Sequence, residues 1–118
     1  MSSFSAKIRS HNDLQIIELH GELDAHTATE LEAAIQQCVD AQGFKVIVNG
    51  AQLRYISSAG LGVFMAFIEE IRENGGDIKI AALQPNVFET FDLLGFPHLF
   101  DITETEEEAI EKFTANTA

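Results

Sequence analysis

A chain of 118 residues with 46% apolar and 22% charged side chains is long enough for one domain with its own core and is globular in composition. Nineteen acidic against seven basic residues give a formal net charge of −12, a field that repels a phosphate backbone and argues against direct nucleic-acid contact. One cysteine, Cys38, excludes an internal disulfide and a paired-cysteine metal site, and no apolar run is long enough to insert in a membrane. The first ten residues, MSSFSAKIRS, alternate polar and apolar and lack the build of a signal peptide. A single domain over residues 1–118 in the cytoplasm is expected.

In chain order, Phe4, Ala6 and Ile8 alternate with Ser5, Lys7 and Arg9, the period of a half-buried strand. SHND (Ser10 to Asp13) reads as a turn and LQIIELHG (Leu14 to Gly21) as a second strand, so the two form a hairpin. Thr27 and Glu30 stand in capping-box register. Leu31, Ala34, Ile35, Cys38 and Val39 follow at helical spacing, and Gly43 ends that helix. KVIVN (Lys45 to Asn49) is a short β-branched run, as in a strand covered on both faces. A helix after Ser58 turns Leu61, Phe64, Ile68 and Ile71 inward and Glu69, Arg72 and Glu73 outward, and Asn74 to Gly76 stop it. Asp77 to Leu83 reads as a strand, Asn86 to Gly95 as a helix, and His98 to Thr103 as a last strand. Thr105 with Glu108 makes a second capping box for a helix with Ala109, Ile110 and Phe113 on its apolar side.

The order β-β-α-β-α-β-α-β-α predicts an α/β fold. Its small mixed sheet should be mostly parallel, with right-handed crossovers, an N-terminal hairpin and about four helices, most of them on one face. Val46, Ile47, Val48, Leu61, Phe64, Ile68, Ile80 and Leu83 are the expected core.

Between the third strand and its helix lies YISSAGLGVF, Tyr55 to Phe64. Ser57 and Ser58 there could cap the helix, act as nucleophiles, or accept a modification. A nucleophile elbow needs glycine two places either side of its serine, and Ile56 occupies the upstream place before Ser58. His98 is the only downstream histidine and has no spacing that points to Ser58. Gly60-Leu61-Gly62 is not a phosphate-loop pattern, and His11, His20, His26 and His98 are too scattered for a metal motif. No enzyme activity, metal or cofactor is therefore expected. A serine at the start of a helix remains open to capping, for about 1 kcal/mol, and to phosphorylation, since free N–H groups and the positive dipole end favour an anion there.

GELD (Gly21 to Asp24) and LRYISSAGLGVF (Leu53 to Phe64), followed by NGGDIKIAAL and VFETFDLLGF, resemble the anti-sigma factor antagonists of the STAS domain family. The resemblance runs over nearly the whole chain. It implies a protein that binds an anti-sigma factor which is also a serine kinase, is released when phosphorylated, and is restored by a metal-dependent Ser/Thr phosphatase. It places the phosphoserine at Ser58, with Ser57 as the alternative acceptor, and the GELD loop beside this segment. Asp24, Ser57, Ser58, Ala59 and Gly60 are the implied partner-binding residues. Asp24 has a second reading as a turn residue that binds backbone N–H groups. Ser57 stands where the family carries an acidic residue and Ala59 where it carries Ser or Thr. These departures leave a second role open, a non-phosphorylated STAS binding module of a lipid-transport or stress-signalling assembly.

Overall fold

The alternation that begins at Phe4 becomes strand β1 (Phe4–His11), paired antiparallel with β2 (Leu14–Leu23) from Phe4 opposite Gly21 to His11 opposite Leu14. The computed structural model describes residues 4–114; residues 1–3, where the alternating N-terminal stretch starts, and residues 115–118 lie outside it. The hairpin turns at Asn12, whose φ of 56° is a left-handed conformation that asparagine tolerates.

The remaining elements follow as α1 (Ala28–Asp40), β3 (Lys45–Ile56), α2 (Ser58–Glu73), β4 (Asp77–Ala81), α3 (Pro85–Leu93), β5 (Ile102–Thr103) and α4 (Glu106–Thr114). The five strands lie in sequence order, β1-β2-β3-β4-β5, with every pair after the first parallel. This is the mixed, mostly parallel sheet expected of alternating strands and helices.

Residues one apart along each strand face opposite sides. Ile17, Leu19, Val46, Val48, Ile78 and Ile80 face a core closed by Leu31 and Ile35 of α1, Leu61, Phe64 and Ile71 of α2, and Val87 and Phe91 of α3. The other face carries Leu14, Ile16, Ile47 and Ala81 beneath Ala109 and Phe113 of α4. Three helices thus share one face, and α4 covers part of the second. All the expected core residues are buried except Leu83, which is half-buried at the edge.

Four predicted features differ in the structure. β3 runs to Ile56 instead of stopping near Asn49, because its pairing with β2 continues from His20 opposite Gln52 to Leu23 opposite Ile56. β4 ends at Ala81, since Ala82 takes a φ of 63° and turns the chain before Leu83. His98 to Thr103 is strand only at Ile102 and Thr103. Gly95, at a φ of 76°, ends α3 and leads into a 3-10 turn, where the N–H groups of Leu99 and Phe100 donate to the carbonyl of Phe96 instead of joining a ladder. Finally, Thr27 does not form its capping box. Its hydroxyl donates to the Glu22 carbonyl (2.8 Å) and accepts the Asp24 N–H (2.9 Å), which leaves it no part in capping α1. The second box does form. Thr105 Oγ1 accepts the Glu108 N–H and Glu108 Oε1 accepts the Thr105 N–H, both at 3.1 Å.

Under α4 lies a charged group that hydropathy did not anticipate. Lys79 in β4 is buried, with Nζ 2.7 Å from Asp101 and 3.1 Å from Asp77. The same ammonium lies 4.7 Å from the centre of the Phe113 ring, which adds a cation–π contact to the two ion pairs.

Candidate functional site

β2 and β3 end side by side. Glu22 lies opposite Tyr55 and Leu23 opposite Ile56, and the Ser57 N–H donates to the Leu23 carbonyl at 2.9 Å. GELD and the serine segment, distant in sequence, therefore share one end of the sheet. Gly21 sits at a φ of 103°, where the β2–β3 register shifts between Gly21 and Glu22. A side chain would be strained in that backbone, which explains the first residue of GELD.

Asp24 holds the turn that leaves β2. Its Oδ1 accepts the N–H groups of His26 at 2.9 Å and Thr27 at 3.2 Å, and its backbone carbonyl accepts the Ala28 N–H at 2.9 Å. The turn-residue reading of Asp24 is thus realised in the geometry. The residue is only partly buried.

The two serines differ sharply. Ser57 takes the extended conformation of an N-cap residue (φ −103°, ψ 172°), yet its hydroxyl caps nothing. Its Oγ is enclosed and has no hydrogen-bond partner, so the side-chain cap considered for it is not formed. Ser58 is the first residue of α2 and is exposed, as is Ala59. The first intrahelical bond is Leu61 N–H to the Ser57 carbonyl (3.2 Å). The N–H groups of Ser58, Ala59 and Gly60 precede it and form the electropositive end of a 16-residue helix. Its first turn holds no acidic residue.

Two glycines in this segment do different things. A Cβ on Gly60 would meet Leu23 Cγ at 2.7 Å and Ile56 Cγ1 at 3.1 Å. Glycine is what lets the start of α2 lie directly on the strand ends. A Cβ on Gly62 would meet nothing within 4 Å. Gly62 lies one turn after Ser58 and leaves bare backbone on the open side of the helix. The GLG pattern drew attention to both in the sequence, but only the tertiary contact separates them. Tyr55, half exposed just before the serines, carried no sequence signal of its own.

The other side chains considered from sequence stay outside this site. His20 pairs with Ser5 across the hairpin and His26 is exposed in the Asp24 turn. Among the described residues no three His, Cys, Asp or Glu side chains gather as a metal site. Cys38 is buried, and burial pushes its thiol pKa up, away from a reactive thiolate. Also among the described residues, no helix is long and apolar enough to cross a membrane.

The model of the STAS domain family matches residues 5–109. The chain belongs to the STAS family. A relative described as the putative anti-sigma factor antagonist BtrV of Bordetella bronchiseptica is 33% identical over 95 residues, covering 80% of this chain and 82% of BtrV. Among solved structures, an anti-sigma factor antagonist from Mycobacterium paratuberculosis superposes with a TM-score of 0.86 at 23% identity, covering 93% of each chain. The phosphorylated form of the Bacillus cell fate determinant SpoIIAA superposes with a TM-score of 0.69 at 24% identity, covering 94% of this chain and 99% of that one. Both structures share the STAS fold described above.

Proposed function

We propose that the chain, as one STAS domain over residues 1–118, is a cytoplasmic anti-sigma factor antagonist switched by phosphorylation of Ser58. Its partners would be an anti-sigma factor that is also a serine kinase and a metal-dependent Ser/Thr phosphatase. The observation that supports this reading is the contrast between the two hydroxyls: Ser58 is open at a helix start, whereas the Ser57 Oγ is enclosed. A kinase must bring its phosphate donor in line with the acceptor oxygen, and only the first of these oxygens is approachable without rearrangement. Relatives named as anti-sigma factor antagonists, and a neighbour described in a phosphorylated form, supply the class of partner.

A phosphate at Ser58 adds about −1.5 to −2 charges beside three free N–H groups, so the fold tolerates it. The switch then acts at the interface, through repulsion and desolvation against the partner. A ~100-fold loss of affinity needs only about 2.7 kcal/mol, within reach of a misplaced interfacial charge. In this reading Ser58, Ala59 and the carboxylate of Asp24 meet the partner. Ser57 and Gly60 act from below by fixing how α2 leaves β3.

A second reading, a binding module that is never phosphorylated, draws on the absence of any acidic residue from the first turn of α2. Incubation with ATP and candidate anti-sigma kinases from the same cell, followed by intact-mass analysis and peptide mapping, separates the two. One phosphate on Ser58, kept in Ser57→Ala and lost in Ser58→Ala, is the expected result. Phosphate on Ser57 refutes the register, and a chain that binds its partner yet takes no phosphate from any of the kinases favours the second reading.

A further inference from the structure

Where β4 and β5 end, the sheet opens onto an apolar groove of about 400 Å³ lined by Leu83, Pro85, Phe88, Ile102, Thr103 and Glu104. Two backbone features shape it. Ala82, at a φ of 63°, turns the chain out of β4, a left-handed conformation that L-residues rarely adopt. Gly50 in β3 leaves room for the leucine that follows, since a Cβ there would lie 2.6 Å from Leu83 Cδ2. The wall is then fastened to β3, the strand that leads into the serines. Gln84 Nε2 donates to the Ala51 carbonyl and Asn86 Nδ2 to the Arg54 carbonyl, both at 3.0 Å.

The groove is mostly apolar, and its one charged lining residue is the acid Glu104. Phe88 keeps 38% of its surface exposed there, although it is a phenylalanine on an ordered helix. The Thr103 hydroxyl is already used on the Thr105 carbonyl at 2.7 Å, so it offers no free donor. Glu104 lies in the lining and is exposed. No lining residue is basic.

The geometry points to this groove as the seat of one leucine or phenylalanine side chain from a basic segment of a partner protein. This deepens the functional reading above and rests on it for the partner's identity: the groove would be a second contact for the protein that meets Ser58. Charge complementarity selects the occupant. Glu104 in the lining and the −12 net charge draw a cationic chain and repel an anionic lipid surface. An open groove of this size fits one large apolar side chain, the kind of buried anchor that dominates interface energetics.

The probe is a short lysine- and serine-containing peptide with one central phenylalanine, beside a twin with alanine in that place. Each is titrated into the full, isotope-labelled chain and followed by amide chemical shifts. The phenylalanine peptide should shift Leu83, Phe88, Ile102, Thr103 and Glu104 and bind at least about tenfold more tightly than its twin. Phe88→Ala should erase that difference. Glu104→Lys, an exposed substitution that leaves the fold intact, should weaken the phenylalanine peptide. Equal binding of the two peptides, or shifts centred elsewhere, overturns the proposal. So does benzyl alcohol binding as tightly as the peptide, because the groove would then be a small-molecule site. Ser58→Glu should leave peptide binding unchanged. A groove that fails while Ser58 is still phosphorylated leaves the functional reading standing, and a Ser58 that no kinase modifies, with the peptide still seated, does the reverse.

Discussion

At the scale of single residues, Ser57 behaves against its type. An N-cap serine ordinarily accepts an N–H of the first helical turn, and its loss costs about 1 kcal/mol. Here the hydroxyl is enclosed and unpartnered, so the desolvation of a polar group is not repaid. Ser57→Ala should therefore leave the urea midpoint unchanged or raise it; a loss near 1 kcal/mol would show that the hydroxyl caps α2 in solution. The two glycines make a matched pair. Gly60→Ala drives a methyl to within 2.7 Å of Leu23 and should cost about 1–3 kcal/mol through overpacking. Gly62→Ala enters open space and should gain up to about 1 kcal/mol from helix propensity, while weakening any partner that lies against bare backbone beside Ser58. Urea melts of the two variants should move in opposite directions. The serine segment and the turn at Asp24 were legible in the sequence as motifs. The enclosed Ser57 hydroxyl was not, because residue type says nothing about what surrounds an oxygen.

At the scale of elements, the two capping boxes show where sequence reading stops. Thr27-x-x-Glu30 and Thr105-x-x-Glu108 are the same pattern, yet only the second forms. The difference is the Glu22 carbonyl, brought to Thr27 by the end of β2, a tertiary partner that a four-residue window does not contain. The second half of β3 was missed for a similar reason. Its burial breaks the period of two beyond Gly50, as the paired strand shifts register. The hairpin and the helices were legible because their periods are unbroken, and the start of β3 because its apolar run is β-branched and covered on both faces. Helix α4 is the element most open to test. It rests on the small apolar cluster around Ala109 and Phe113, on Glu106 accepting from Arg9 (2.6 Å) and Asn49 (2.9 Å), and on its capping box. Thr105→Ala should cost about 1 kcal/mol and speed amide exchange in α4 more than in α2. Beneath α4, burial alone would push the Lys79 ammonium pKa down, but hydrogen bonds to Asp101 and Asp77 outweigh it and hold it above 10.5. The hydrogen bond from Lys79 holds the Asp101 carboxyl below 3.8. A raised lysine contributes stability below its unfolded pKa that is lost as pH climbs through the folded one. A lowered carboxyl contributes stability above its unfolded pKa that is lost as pH falls through the folded one. Protection of the α4 amides, with the intrinsic pH dependence of exchange divided out, should thus be highest between about pH 4 and pH 10 and fall outside those limits. In Lys79→Met the fall that comes from this pair should disappear.

At the scale of the whole molecule, the net charge of −12 decides what kind of switch a phosphate can be. Adding about −1.5 to −2 to such a total alters the long-range field only modestly. A partner drawn in by that field should find the modified protein almost as fast as the free one. The large change has to be local, where the phosphate faces the partner's surface without water between them. The two effects respond differently to salt. Steering acts beyond a Debye length, about 8 Å at physiological ionic strength, and is screened, whereas a charge enclosed in an interface is screened far less. Binding kinetics of the phosphorylated and unphosphorylated forms, measured from about 50 to about 500 mM salt, should show association slowing together in both. Their ratio of dissociation rates should stay nearly constant across that range, with most of the ~100-fold affinity difference in dissociation. If the difference sits in association instead and fades as salt rises, the phosphate works through the field of the whole protein, and the placement of Ser58 at the contact is wrong.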